Sequence, residues 1–194
     1  HSWGGTLATF YAAKYPEHVD HLIIYSGGPE DADLAGRKGK AHNAKLTNEE
    51  KQALVKRMAA LKKAVQANSP QEEIDELFMD VAEVMFPSLY CQRPAKAPKP
   101  QGKAGFWASQ VAGSYRKSFK FKELADSLKK VTSPVLLTWG RCEPSPIERL
   151  TGLLASFPKA KLVIFDESGH NAMEEEPKLF FQTIRAFLHD EQLP

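Results

Sequence analysis

Three short and almost uninterrupted apolar segments constrain the fold of this chain more than any other feature. They are residues 21–25 (His-Leu-Ile-Ile-Tyr), 134–139 (Pro-Val-Leu-Leu-Thr-Trp) and 161–165 (Lys-Leu-Val-Ile-Phe). Strands with one face in water alternate apolar and polar residues, whereas continuously apolar strands are typical of parallel sheets that are buried on both faces. Helical patterns separate or follow these segments, and strand–helix alternation indicates an open α/β sheet.

The helical patterns beside the strands predict apolar stripes that cover the sheet. Residues 6–15 carry Ala, Leu and aromatic residues at helical spacing, and Pro16 ends them. Two later helices are expected to bury one side each: Ile147, Leu150, Leu153 and Leu154 in the first, and Leu179, Phe180, Ile184, Phe187 and Leu188 in the second.

A segment of different character lies between the first and second strands. Residues 31–125 are rich in Lys, Glu and Ala, which favours helices. We predict that they form a helical cap inserted into a core, which consists of residues 1–30 and 126–194.

Helix signals within this cap are local. Its first helix is expected to start at the capping box of residues 47–50 (Thr-Asn-Glu-Glu). The second is expected to start at residues 69–72 (Ser-Pro-Gln-Glu), with Ser69 as N-cap. The basic, proline-rich residues 93–100 predict an exposed hinge.

Composition narrows the classes of partner. The 26 Lys and Arg residues nearly balance 24 Asp and Glu residues, and a net charge of +2 does not favour nucleic acid or a membrane surface. The chain has no apolar run of the roughly 20 residues that cross a bilayer. We expect a small molecule or short peptide as partner, with the oligomeric state unknown. The default location is cytoplasmic, although a signal peptide before His1 would change it.

The cysteine count is low. Cys91 and Cys142 are too few for a disulfide framework, and we expect both to be free thiols.

The first residues resemble part of a catalytic motif. Residues 1–4 (His-Ser-Trp-Gly) match the last four positions of G-x-S-x-G, the strained turn that exposes a nucleophilic serine between a strand and a helix. A helix N-cap serine beside a glycine turn is the structural alternative. A serine nucleophile also needs an imidazole to take its proton and a carboxylate to orient that imidazole.

Both partners follow in the order that α/β sheets require. Residues 140–143 (Gly-Arg-Cys-Glu) come after the second strand, and residues 166–171 (Asp-Glu-Ser-Gly-His-Asn) come after the third. Since the carboxyl ends of parallel strands meet at one edge, we predict Ser2 as nucleophile, Glu143 as acid and His170 as general base.

Other residues could compete for these roles or complete them. Asp166 and Glu167 are alternatives for the acid. The backbone N–H of Trp3, the residue after the nucleophile, is expected to donate to the oxyanion. A second donor would belong to a loop that the chain does not contain. Among the remaining histidines, we expect structural roles for His1 and His21, and surface or helix-capping roles for His18, His42 and His189.

These motifs resemble the α/β-hydrolase superfamily and, within it, the proline iminopeptidase group. Residues 1–8 resemble that group's elbow, residues 15–19 and 26–29 resemble the flanks of its next strand, and residues 140–143 stand where it carries Gly-Arg-Tyr-Asp. The resemblance implies the C-terminal part of that fold with a helical cap, in an N-terminally incomplete chain. It also implies the triad named above, with no metal and no organic cofactor.

Two departures bear on the substrate. Glu143 stands where the group has Asp, and residues 103–122 contain basic side chains but no carboxylate to bind a substrate amine. The first hypothesis is an aminopeptidase that releases N-terminal proline or another residue from small peptides. The second is an ester or amide hydrolase for small neutral or acidic substrates. A non-catalytic fragment or interaction module is the third. We expect the chain to be inactive alone.

Overall fold

The three predicted strands form one parallel sheet in the computed structural model, which describes residues 1–94, 105–118 and 120–194. The strands are β1 (Leu22–Tyr25), β2 (Val135–Gly140) and β3 (Ala160–Phe165). The α-helices are α1 (Trp3–Lys14), α2 (Ala32–Lys45), α3 (Asn48–Gln66), α4 (Gln71–Met85), α5 (Phe106–Ser118), α6 (Phe121–Leu128), α7 (Glu148–Ser156), α8 (Ala172–Glu175) and α9 (Pro177–Leu188). Short 3-10 turns cover Pro16–His18 and Phe86–Leu89.

The register of the sheet brings the strand ends together. In the order β1-β2-β3, Tyr25 lies opposite Thr138, and Gly140 lies opposite Phe165. The loops that carry the predicted acid and histidine therefore leave the same edge of the sheet. Every residue of β2 is buried, as its apolar sequence predicts. The same prediction is wrong for β3, which lies at an edge of the described sheet, so that Lys161 is exposed.

Helices α1, α6 and α7 supply most of the core around the sheet. Leu128, Leu150 and Leu153 are buried in one apolar cluster with residues of β1 and β2. Ile147 and Leu188, predicted to be buried, are instead about half exposed. Ile147 precedes the first turn of α7, and Leu188 is the last residue of α9, so neither lies within the buried stripe of its helix.

The predicted cap contains a packed pair of helices. The α3–α4 pair buries Leu61, Ala64 and Ile74. The capping box at Thr47 is confirmed, because its hydroxyl accepts the Glu50 N–H at 3.2 Å and the Glu50 carboxylate accepts the Thr47 N–H at 2.8 Å. The predicted Ser69 cap is wrong.

Helix α4 instead begins at Gln71 and follows Pro70, whose extended ψ of 143° ends the preceding turn without a side-chain cap. The α2 helix was not predicted, since we expected the first cap helix at Thr47. Its N-cap is Asp31, whose carboxylate accepts the Leu34 N–H at 2.9 Å.

Two predictions about boundaries remain open. Residues 95–100 of the predicted hinge lie outside the described residues, while Arg93 is bound to the Glu50 carboxylate at 2.7 and 2.9 Å. The division at residues 30 and 125 stays a prediction. Among the described residues, no helix is long and apolar enough to cross a membrane.

Candidate active site

Ser2 stands at a strained turn at the start of α1. Its φ of 52° and ψ of −121° are unusual for a residue with a side chain, as expected of a nucleophile elbow. The Ser2 N–H donates to the Tyr25 carbonyl at 3.0 Å, which holds the turn at the carboxyl end of β1.

Glycines allow this turn to pack closely against the segment after β1. A Cβ added to Gly27 would lie 2.7 Å from the Ser2 carbonyl oxygen, and one added to Gly5 would lie 3.0 Å from the Gly27 Cα. By contrast, a Cβ on Gly4 would meet nothing within 4 Å. In the described structure, the close approach therefore depends on Gly5 and Gly27 rather than on the motif glycine.

Glu143 and His170 are in direct contact. His170 Nδ1 lies 2.6 Å from Glu143 Oε2, and Glu143 Oε1 accepts the Ser145 N–H at 3.1 Å. Burial of Glu143 disfavours its charge, but the hydrogen bond and charge of His170, with help from Ser145, outweigh burial and hold the pKa of Glu143 below its usual value. Glu143 is thus an ionised partner for the imidazole at neutral pH.

The competing carboxylates lie elsewhere. Asp166 pairs with Arg141, and both side chains are largely exposed. Glu167 is also exposed. The structure therefore brings His170 together with Glu143 and with neither of the alternatives.

The loop after β2 that carries Glu143 (the acid loop) and the loop after β3 that carries His170 (the histidine loop) also pack tightly against each other. A Cβ on Gly140 would lie 2.0 Å from the Gly169 carbonyl oxygen, which only a glycine avoids. The Cys142 N–H donates to the Ser168 carbonyl at 2.9 Å. Because these contacts join the ends of β2 and β3, they hold the Glu143–His170 pair in register.

A segment of the predicted cap, at Leu89 and Cys91, also holds the loop that carries His170. The His170 N–H donates to the Leu89 carbonyl at 2.6 Å. Glu175 accepts the N–H groups of Gly169 and Cys91 at 2.6 and 2.7 Å. Sequence reasoning missed these contacts, because the acidic run of residues 174–176 resembles a solvated helix start.

Cys91 and Cys142 form a disulfide, so the prediction of two free thiols is wrong. The two residues are 51 positions apart in sequence, but the fold places the end of the Phe86–Leu89 turn beside the acid loop. This covalent link ties Cys91, in the predicted cap, to the residue directly before Glu143. A sequence spacing of this kind carries no signal for pairing without a fold.

A cavity of about 220 Å³ joins Ser2 to His170 and Glu143. Its lining also includes Trp3, Thr6, Glu30, Lys38, His42, Leu89 and Arg149. Trp3 is the first residue of α1, and the first N–H groups of a helix make no hydrogen bond within that helix. This position is suitable for an oxyanion donor, but the role itself stays a prediction.

The wall of the cavity carries charges that the sequence did not reveal. Glu30 is buried and accepts two hydrogen bonds from Lys38 Nζ, at 2.6 and 2.9 Å. Arg149, also buried, donates through Nε to the Gly28 carbonyl at 2.8 Å and lies 3.5 Å from Glu30. Each of these charges faces an opposite charge or a carbonyl oxygen, which is what a buried charge requires.

His42 also lies in this wall. It was expected to be a surface or capping histidine, but it is 9% exposed, and that prediction is wrong. Its Nδ1 lies 2.6 Å from the Ser88 hydroxyl oxygen. The unpredicted helix α2 carries it there.

Comparisons with known proteins match this architecture. A family model described as alpha/beta hydrolase fold matches residues 1–177. The AB hydrolase superfamily protein YclE of Bacillus subtilis is 24% identical over 97% of this chain and 66% of its own length. A proline iminopeptidase of Heyndrickxia coagulans is 25% identical over 97% of the chain and 65% of its own length. The chain thus spans just under two thirds of these relatives.

Solved structures agree on the fold. The structure of VinJ aligns with 99% of this chain and 64% of its own, with a TM-score of 0.66 at 17% identity. A proline iminopeptidase of Mycobacterium smegmatis aligns with 98% of this chain and 63% of its own, with a TM-score of 0.54 at 21% identity. The described chain corresponds to the C-terminal portion of such structures.

Proposed function

Because this chain belongs to the alpha/beta hydrolase family, we propose that it carries the triad of a serine hydrolase that works through an acyl-enzyme. The observation that carries the proposal is the 2.6 Å contact between His170 and Glu143, at a cavity shared with Ser2 on its strained turn. The triad roles are inferred from this geometry.

The proposed first half-reaction forms an ester with the enzyme. His170 Nε2 takes the proton of the Ser2 hydroxyl while its oxygen attacks the substrate carbonyl carbon. Glu143 stabilises the resulting imidazolium through Nδ1–H. The Trp3 N–H donates to the tetrahedral oxyanion. His170 then returns its proton to the leaving group as the bond to that group breaks.

The second half-reaction uses water in place of the serine. His170 accepts a proton from water, whose oxygen attacks the acyl carbon, and the proton returns to Ser2 as the acid product leaves. Every proton is accounted for by the imidazole. No other reactant is needed.

For the substrate, the first candidate is the N-terminal prolyl residue of a small peptide, released by an aminopeptidase. The names of relatives such as the Heyndrickxia coagulans protein support it, as does the Ser-Gly-Gly-Pro turn of residues 26–29. The second candidate is a small neutral or acidic ester or amide. The pairing of both cavity carboxylates supports it, because Glu30 is already bound to Lys38 and Glu143 to His170. Neither carboxylate is then well placed to bind the ammonium group of a substrate.

Active-site labelling tests the triad. The test uses the protein encoded by the longest open reading frame that contains this chain. We expect a fluorophosphonate to label Ser2 in this protein, with labelling lost in Ser2→Ala and strongly slowed in His170→Ala. Ser26→Ala, a serine beside the same edge of the sheet, is the matched control and should label normally. Labelling that persists in Ser2→Ala would refute the proposal.

A substrate panel distinguishes the two candidates. Turnover of a prolyl p-nitroanilide supports the aminopeptidase. Turnover of p-nitrophenyl acetate without any turnover of the prolyl amide rejects it and supports the second candidate.

A further inference from the structure

Helix α2 turns one polar face toward the cavity of the proposed nucleophile. Lys38 and His42 are four residues apart, which places them on one side of the helix, and both line the cavity with Ser2. His42 is almost fully enclosed. A buried imidazole beside a reactive serine, with no part in the triad, calls for its own explanation.

The hydrogen bonds around His42 determine which of its nitrogens carries the proton. The hydroxyl of Ser88 donates its single proton to the Met85 carbonyl at 2.6 Å. The Ser88 oxygen can therefore only accept from His42, so Nδ1 holds the proton and donates it across 2.6 Å. Nε2 is left with its lone pair, and among the described residues no hydrogen bond reaches it.

His42 is also neutral under ordinary conditions. Burial, reinforced by the positive charge of Lys38, lowers its pKa to about 4, against a smaller opposing effect of Glu143. A neutral imidazole is a hydrogen-bond acceptor. The neighbouring charges, by contrast, are already engaged, since Glu30 accepts from Lys38 and Arg149 donates to Gly28.

We propose that His42 Nε2 is a specificity-determining acceptor, which takes a hydrogen bond from an N–H or O–H on the acyl part of the substrate. The proposal rests on the proposed serine hydrolase function and deepens it. The acyl part is favoured because it stays attached to Ser2 inside a cavity of about 220 Å³. A site built to accept such a bond rejects the isosteric substrate that lacks the donor.

Matched substrates test this acceptor in the protein encoded by the longest open reading frame that contains the chain. Prolyl p-nitroanilide is compared with the cyclopentanecarbonyl analogue, which replaces the ring N–H by CH₂. p-Nitrophenyl glycolate is compared with p-nitrophenyl acetate, which lacks the hydroxyl. The first pair examines an amine donor and the second a hydroxyl donor, and the quantity measured is the ratio of kcat/KM within each pair.

We expect the wild type to prefer the donor-bearing substrate in one pair by about tenfold or more, the typical effect of one hydrogen bond. His42→Phe removes the acceptor and should abolish this preference. His42→Gln keeps a carbonyl acceptor and an amide donor for Ser88, so it should restore part of the preference. His189→Phe, the same substitution at an exposed site, should leave the ratio unchanged.

Several results overturn the proposal. The first is a wild-type kcat/KM preference below about threefold in both substrate pairs. This measurement needs no variant, so it tests the proposal even if His42→Phe does not fold. An equal loss for both members of a pair in His42→Phe also overturns the proposal, since a merely structural role predicts it. If neither fluorophosphonate nor any substrate reacts with the wild type, the proposed hydrolase function itself fails. If they react but the kcat/KM ratio within each pair is the same in wild type and His42→Phe, only the acceptor role fails.

Discussion

Replacement of Glu143 by Gln tests the proposed acid with a minimal change in shape. The carboxylate accepts two hydrogen bonds, from His170 at Oε2 and from the Ser145 N–H at Oε1. A Gln side chain replaces one of the two accepting oxygens by a donating NH₂ group, so its two ends can satisfy only one of these contacts. In either orientation, a donor faces a donor or the imidazole is forced into its other tautomer.

The magnitude follows from these two orientations. If the amide NH₂ faces His170, the ring must accept at Nδ1, and its proton sits on the nitrogen that should act as base, a defect that costs roughly 10⁴-fold in kcat. If the amide oxygen faces His170, the buried Ser145 N–H loses its partner, at about 1–3 kcal/mol, and the imidazolium loses its counter-charge. We therefore expect kcat to fall by about 10³- to 10⁴-fold.

The assay is the hydrolysis of p-nitrophenyl acetate by wild type, Glu143→Gln and Asp166→Asn. Asp166 follows β3, is exposed and is paired with Arg141, so its replacement should change kcat by less than about twofold. A Glu143→Gln variant that keeps kcat within about tenfold of wild type would contradict the proposed acid. A comparable loss in Asp166→Asn would assign the role to the other carboxylate.

Three further predictions concern stability. Gly27→Ala brings a Cβ to 2.7 Å from the backbone carbonyl oxygen of Ser2 and should cost about 1–3 kcal/mol in urea unfolding, whereas Gly36→Ala, in open space on α2, should be neutral or stabilising by up to about 1 kcal/mol. Equal effects of the two substitutions would contradict the packing. The lowered pKa of Glu143 adds stability above its ordinary value of 4.5, and this is lost as pH falls through the lower folded value. The difference in Tm between wild type and Glu143→Gln should therefore become smaller in acid. A difference that becomes larger in acid would contradict the lowered pKa of Glu143. Reduction of the Cys91–Cys142 disulfide, which joins residues 51 positions apart, should lower the free energy of unfolding by roughly 4 kcal/mol. The same reductant should not change the stability of a Cys91→Ser/Cys142→Ser variant.

The proposed chemical step could be predicted from sequence because its signals are local. Each of the three strands is a short apolar run, and Glu143 and His170 follow the second and third of them by only a few positions. A parallel sheet then brings the strand ends to one edge, whatever the long connections do. Capping at Thr47 is local for the same reason, since its partner Glu50 is one helical turn away.

The contacts that hold these loops could not be predicted in this way. Leu89 contacts His170, and Cys91 contacts Cys142, only because the chain returns from the predicted cap to the sheet. The exposed positions Ile147 and Leu188 show the same limit from the other side. Their helical spacing fits an apolar stripe, but the helix boundary decides which residues of the stripe reach the core.

Substrate selection presents the hardest case, because its proposed residues look like ordinary surface residues. Helix α2 is rich in Lys, Gly and Ala, and such a sequence gives Lys38 and His42 no sign of burial. Their environment is created by Glu30 before the helix and by Ser88 and Arg149 far along the chain. Variation of these partners would change what the cavity accepts while the strand-end residues, and the proposed reaction, stayed the same. We therefore expect relatives that share the proposed triad to differ in substrate, and the contact between Ser88 and His42 is the first place to compare them.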